Sequence, residues 1–588
     1  MLQNFLKRAE QDRPVYLCEV RDAFSRIGEI PFNCRVTLYD GTVRRFPLRL
    51  PCFSEGDEAA FVASYVHASL FNILSALGAA RIDIYLDLSR PPVHRLAKGL
   101  DGVFQTAMPL NQRIGYGKCL NVNQRILNAL RGGGEPFGFF LHDVSEEPED
   151  SLVHPVRMDG DVFAKLPAAA ADKMVLGMDV GGTDVKLAAA VCGELVVCKE
   201  FDWFPPAFVT AEDMIEPLLL LTRMTRAAAS LAFAGRAGEI DAAALDRRAP
   251  LSDILRGAEV MERAAGSSLR DFDAIGLSFP DVVIRNRIVG GETPKTAGMR
   301  NNKAVDYEVQ LDRLSALTRR LSQFVRPGGP TLCANDGPIA AFTTAVEQAA
   351  GGRSISDGFF AHTLGTDLGT GWVRPDGSIP EIPLEVYNFV VDLGSFGQRR
   401  FDADDVQSVN SFSSGLPGTL QKYAGQSGVF RLAARDLPGK APSLWKAALD
   451  QGFFVRVGEK LLVPAEPVDL RKPCLDFFMD MASRDEVCAG LFRQIGEALG
   501  ACWAETEFIL APDAKDRTLF GRMVKNFDCF RLICEGAQRV VPGLRLRAAN
   551  ERLANTSLMK QLARHPDFTV AQFAQAVGAV FYACLPFV

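Results

Sequence analysis

In the stretch VLGMDVGGTDVKLAAAV (175–191), an acid, two glycines, a hydroxyl and a cation fall within eight residues: Asp179, Gly181, Gly182, Thr183 and Lys186. A carboxylate at the end of a buried strand can hold Mg2+ through water, because that ion keeps most of its hydration shell. Gly181 and Gly182 permit a tight turn with close backbone approach. A Gly-Gly-Thr turn presents N–H groups, and Thr183 a hydroxyl, to phosphate oxygens. Lys186 falls on the following strand, where it either supports the phosphates or caps the sheet edge. The spacing thus predicts a strand–turn–strand that takes phosphate and a divalent ion. The plain alternative is a hairpin with a glycine turn and a solvated Asp.

The elements that would position this turn read as α/β. From 174 onward, apolar runs such as KMVLGMDV, AIGLSFPDVVI, TLCAND and GFFAHTLGTDLGTGWV end in polar or glycine residues, as buried strands do. Between and after them, VDYEVQLDRLSALTRRLSQFV, GPIAAFTTAVEQAA and AQFAQAVGAVFYACL carry helical patterns. Upstream, RVTLYDGTVRRFPLRL predicts a hairpin around Asp40-Gly41, and EGDEAAFVASYVHASLFNILSALGA a helix with an acidic first turn. RIDIYLDL alternates like a half-buried strand, and KLPAAAADK reads as a joint near 165–172.

The bulk composition excludes several classes. A chain of 588 residues is too long for one core. A net charge of −6 carries no basic excess for nucleic acid or an anionic membrane, so neither is expected as a partner. Thirteen cysteines without a CxxC pair, and a charged amphipathic N-terminus, predict reduced thiols and a cytoplasmic location. No stretch reaches about 18 uninterrupted apolar residues, and MIEPLLLLTRMTRAAASLAFAG is broken by Arg223 and Arg226, so no membrane span is expected. The six histidines are scattered, with neither HExxH nor GxxxxGK[ST] in the chain.

Later segments extend the opening motif. AIGLSFPDVVIRNRIVGGETPKTAGM, PTLCANDGPIAAFTTAVEQ, AHTLGTDLGTGWVRPDGSI, SSGLPGTLQKYAGQSGVFRLA and FAQAVGAVFYA follow it in order. Together, residues 173–588 resemble the ROK family of sugar kinases and sugar-responsive repressors, which has the actin-like ATPase (ribonuclease H-like) two-lobed kinase fold. The resemblance implies ATP-dependent phosphorylation of a hydroxyl on a sugar or sugar derivative, with ATP and Mg2+. It implies a kinase N-lobe over 171–345 and a C-lobe over 346–588, the last helix returning to the N-lobe. Residues 1–170 would be an additional N-terminal α+β domain. A homodimer stays open.

Carried over residue by residue, Asp336 corresponds to the general base that takes the acceptor's proton, and Asn335 to a partner for a neighbouring hydroxyl. Phosphoryl transfer is mostly positioning and charge stabilisation, so a carboxylate that orients the nucleophile fits. The plain alternative is Asx capping of the helix that follows. Asp179 would organise Mg2+, while Gly182, Thr183, Gly365 and Thr366 would donate to phosphate oxygens. Gly369 and Gly371 match the rest of the second turn, and Gly521 the adenosine contact. Glu385 and Asn388 align with sugar-binding positions, with Glu381 as a rival for Glu385.

The chain also departs from that pattern. FSSGLPGT has Ser and Thr where the family has zinc-binding Cys, and Asn388 stands for its His, so no structural zinc is expected. Asp367 replaces a glycine of the second phosphate motif, where it would repel triphosphate. These departures keep a second reading open: a non-catalytic protein of the same fold that senses sugar or nucleotide.

Overall fold

The computed structural model describes every residue except 132–135, 150–161, 366–367, 398–405, 408–410, 412, 459 and 550–552. The fold is α/β. The chain forms two compact units, each assembled from separated segments. One comprises Met1–His154, His362–Thr370 and Ile382–Asn550, the other Pro155–Ala361, Gly371–Glu381 and Glu551–Val588.

This grouping differs from the expected division at 170 and 345. Residues 1–154 fall in one unit with later segments, to which long-range polar contacts join them. The buried Asp392 carboxylate accepts from Val15 N at 2.8 Å, and Leu17 N donates to Val391 O at 2.9 Å. Asn72 brackets the backbone of Val390, donating to its carbonyl at 3.0 Å and accepting from its N–H at 2.9 Å. The guanidinium of Arg21 pairs with Glu505 and lies 3.9 Å from the centre of the Phe508 ring. None of these partners is recognisable from local sequence.

The unit that contains 1–154 has a four-stranded sheet in the order Val43–Leu50, Ile30–Thr37, Arg81–Leu86, Phe139–Asp143. The first two pair antiparallel as the expected hairpin, with Gly41 at φ 89° in its turn. Arg81–Leu86 is buried on both faces beyond its first residue, rather than half-buried as its alternation suggested. The helix Asp57–Ala76 is apolar enough to cross a membrane by length and composition, as is Val570–Phe587, but Phe61, Tyr65, Phe71 and Leu74 of the first are buried within this unit. A second sheet runs Leu368–Val373, Phe359–Leu364, Asp516–Phe520, Arg545–Ala548, and the division between units passes through its first two strands.

The other unit is organised by a five-stranded sheet, in the order Thr331–Asn335, Ala274–Phe279, Met174–Val180, Asp184–Val191, Glu194–Asp202. The first three strands are mutually parallel and the last three form an antiparallel meander. Strands covered on both faces read as continuous apolar runs, which is why VLGMDV and AIGLSF lack alternation. Leu176 and Met178 join a core with Met214, Leu218 and Leu221 of the helix Glu212–Phe233. Residues on the opposite face follow the two-residue period of a strand. There Gly177 and Gly276 let the helix Val570–Ala583 sit on the sheet: an added Cβ would lie 1.9 Å from the carbonyl of Ala576 or of Ala579. Asp179 shares that face with Gly177, one pleat beyond the helix contact.

Candidate active site

The opening motif folds as a two-residue hairpin. Asp179 pairs with Lys186 and Val180 with Val185, and Gly181 N donates to Asp184 O at 2.7 Å across Gly182 and Thr183. The glycines serve close approach, since a Cβ on Gly181 would meet Asp184 O at 2.8 Å. Trp203 fixes the carbonyl side of the turn, its indole N–H on Gly181 O and its backbone N–H on Thr183 O, each at 3.0 Å. The N–H groups of Gly182 and Thr183 have no protein acceptor among the described residues. Unpaired turn amides of this kind suit an anion.

Two carboxylates stand at the ends of parallel strands, Asp179 in Met174–Val180 and Asp336 just after Thr331–Asn335. Asp179 accepts from the Ser278 hydroxyl at 2.8 Å. Burial pushes its carboxyl up from 3.8 to about 6, with Asp336 and Asp184 raising it further and Ser278 and Lys186 opposing. Asp336 is the first residue of the helix Asp336–Ala350, and its own carboxylate accepts from Gly337 N at 2.8 Å. Burial raises this carboxyl too, against the Lys295 ammonium and the Gly337 amide. Asn335 caps the helix, accepting from Gly337 N at 3.0 Å, and its amide donates to Asp281 O at 2.7 Å. The capping alternative therefore describes what Asn335 does in the fold. Gln575, on the last helix, donates to Asp336 O at 2.8 Å and so steadies the same turn.

The expected cation is otherwise occupied. Lys186 pairs with Asp184 and lies 4.0 Å from the buried Glu200, so its charge is matched on its own sheet. Sequence reasoning missed Lys295. Its Cε lies 3.2 Å from where a Cβ on Gly182 would be, and it acts on Asp336. The available signal was a lone cation in the loop GGETPKTAGM, visible only once that loop is placed beside the turn. The loop is anchored by Gly291 N on the buried Asp281 carboxylate at 2.7 Å and by Arg300 on Gly291 O at 2.7 Å.

The remaining candidates lie in the unit that contains 1–154. Gly521, at φ 117°, abuts the strand end before the second turn: a Cβ there would be 2.1 Å from Leu364 O. Gly365 O accepts from Gln426 N at 3.0 Å. Thr366 and Asp367 lie outside the described residues. Gly369 and Gly371 stand on the strand Leu368–Val373 rather than in a turn. Gly371 belongs to the other unit, where a Cβ would meet Gly337 O at 2.3 Å, so it serves packing against the helix of Asp336. Asn388 donates to Glu385 at 3.2 Å, and Asn388 is buried with its amide oxygen lacking a partner among the described residues. The rival Glu381 is exposed and paired with Arg285 at 2.9 Å. The structure thus gathers Asp179, Gly181, Gly182, Thr183, Lys186, Asn335 and Asp336 in one unit, and Gly365, Gly369, Gly521, Glu385 and Asn388 in the other.

A cavity of about 630 Å³ lies behind the first turn, floored by Trp203 and Phe208. Its acidic rim is partly neutralised, Glu212 and Glu216 by Arg320 and Asp202 by Arg247. Among the described residues no group of three or more His, Cys, Asp or Glu is placed to hold a metal ion. The donor set at Asp179 nonetheless fits Mg2+. A carboxyl raised by burial and by a neighbouring carboxylate is relieved by a hard dication that brings most of its ligands as water.

No protein-family model matches the chain, and no curated protein matches it in sequence. Solved structures do match it. A ROK family glucokinase from Streptomyces griseus, in complex with glucose and AMPPNP, is 17% identical over 69% of this chain and 98% of its own, with a TM-score of 0.36. A ROK hexokinase from Thermus thermophilus is 17% identical over 71% of this chain and 100% of its own, with a TM-score of 0.38. A glucokinase from Leishmania braziliensis is 14% identical over 72% and 97%, with a TM-score of 0.35.

Proposed function

We propose that this chain is an ATP-dependent carbohydrate kinase of ROK type on an actin-like two-lobed fold, phosphorylating a hydroxyl of a sugar or sugar derivative. One observation carries the reading: Asp179 and Asp336 are both raised by burial, Asp179 also by the charge of Asp336, and Asp179 leads into a turn whose Gly182 and Thr183 amides have no acceptor among the described residues. Like charges are costly to hold together in a half-buried site, and a site that also offers anion-binding amides suits a ligand carrying both metal and phosphate.

In this reading Gly182 and Thr183 bind phosphate oxygens, while Gly365, Thr366 and Gly521 are assigned to phosphate and nucleotide by the resemblance alone. Asp179 would hold Mg2+, which when bound supplies positive charge to the phosphates. Asp336 accepts the proton of the attacking hydroxyl, and its raised pKa brings it nearer to what a general base requires at neutral pH. Asn335 orients Asp336 through the helix cap, and Glu385 with Asn388 offers acceptors and donors for sugar hydroxyls.

An ADP-release assay over a panel of hexoses, amino sugars and polyols, run beside calorimetry with ATP and Mg2+, tests this. Sugar-dependent ADP release supports it. Tight binding of sugar and nucleotide without turnover would make the chain a sensor instead.

A further inference from the structure

A phosphoryl group in transfer spreads negative charge over its equatorial oxygens, and preorganised cations there contribute strongly to the rate. The cations around the first turn can be taken in order. Lys186 is matched by Asp184 and Glu200. Arg247 pairs with Asp202 at 2.9 Å and lies 3.5 Å from Glu200. Arg300 binds the carbonyls of Gly291 and Thr293, at 2.7 and 3.2 Å, and so holds the loop rather than a ligand. Lys295 is different: it makes no ion pair or hydrogen bond among the described residues. It is half-buried, its stem against Gly182 and its charge acting on Asp336. The loop is pinned on either side of it, by Gly291 N on Asp281 and by Thr296 Oγ1 on Gly291 O at 3.1 Å. A half-buried ammonium that makes no ion pair or hydrogen bond of its own has its donors available to an anion.

We propose that Lys295 is the catalytic cation of the transfer, contacting the phosphoryl group between the phosphate-binding turn and the base. This rests on the kinase reading above and replaces the role expected of Lys186. In the step, the acceptor oxygen forms a bond to the terminal phosphorus of a nucleoside triphosphate and the bond from that phosphorus to the bridging oxygen breaks. The nucleoside diphosphate leaves with the bridging oxygen, and the acceptor's proton passes to the Asp336 carboxylate. Lys295 stays protonated and forms no covalent bond.

The test needs no knowledge of the acceptor. Binding of ADP with Mg2+ is measured by calorimetry without and with fluoroaluminate, a mimic of the transferring group, for the wild type, Lys295→Met and Lys295→Arg. Transition-state mimics bind at least about 100-fold tighter than ground-state ligands. The wild type is expected to gain about 10-fold or more in ADP affinity with fluoroaluminate. Lys295→Met should lose that gain while its affinity for ADP alone changes less than about threefold, and Lys295→Arg should keep part of it. An undiminished gain in Lys295→Met, or no gain in the wild type, overturns the proposal and leaves the kinase reading standing. Failure of the wild type to bind ADP with Mg2+ at all brings down the kinase reading itself, and the proposal with it.

Discussion

Two regions of this protein hold carboxylates, one buried and one half-buried, and they treat them in opposite ways. Asp392, 1% exposed, is saturated: it accepts from Val15 N at 2.8 Å, Gly394 N at 2.7 Å, Gln407 Nε2 at 3.0 Å and Tyr423 Oη at 2.7 Å. Asp179 and Asp336 each accept a single strong hydrogen bond among the described residues, from Ser278 and from Gly337 N. The first carboxylate knits a discontinuous unit together, and every lone pair it can offer is used within the protein. The other two are left short of donors and both are raised by burial. Both are half-buried rather than sealed, so their remaining acceptor positions stay open to water or, in the proposed reading, to a ligand.

If that contrast is sound, removing charge should have opposite consequences in the two regions. The largest effect belongs to Asp336→Asn, which should lower sugar-dependent ADP release by about 100- to 10,000-fold while nucleotide binding holds and the melting temperature does not fall. Near-normal rates would remove Asp336 from the chemistry. Next comes Asp392→Ala, which removes the carboxylate that four donors share and should cost about 3 kcal/mol or more in a denaturant titration. A loss below about 1 kcal/mol would mean that water replaces the carboxylate and that Asp392 is no hub.

The smallest effect sharpens the comparison most. The folded-state pKa of Asp179 lies above its ordinary value, so its contribution to stability is complete below 3.8 and is lost as pH rises through about 6. Asp179→Asn keeps an acceptor for Ser278 and removes that loss. Without ligands it should be more stable than wild type by about 1–2 kcal/mol at pH 7, the difference vanishing below about pH 4. It should also weaken the Mg2+ dependence of nucleotide binding, trading stability against function. A variant destabilised at neutral pH would place Asp179 with Asp392 among structural carboxylates.

Much of the site was legible in the chain because its signals are local. The strand Met174–Val180, the tight turn and the returning strand follow from an apolar run, two glycines and a second apolar run, and no distant partner is needed to predict a hairpin. Asn335-Asp336 reads as a strand end meeting a helix start, and the cap forms there. Lys295 was not legible, because a lone lysine in a glycine-rich loop has no local signature. For Lys186 the sequence left phosphate support and sheet capping both open, and its closeness to Glu200 depends on a cross-strand register that only pairing reveals. Gly177 and Gly276 looked like ordinary strand residues until the last helix settled against them.

The sequence by itself determined the elements, the glycine turn and the carboxylates at the strand ends, since periodicity, glycine and capping act over a few residues. Only the tertiary structure decided which charges are matched and which are left over. It also decided that the first 154 residues join a unit with residues 382–550 rather than standing alone. The reason is physical: whether a buried charge is satisfied depends on groups hundreds of residues away, and the chain has to fold before those groups can meet.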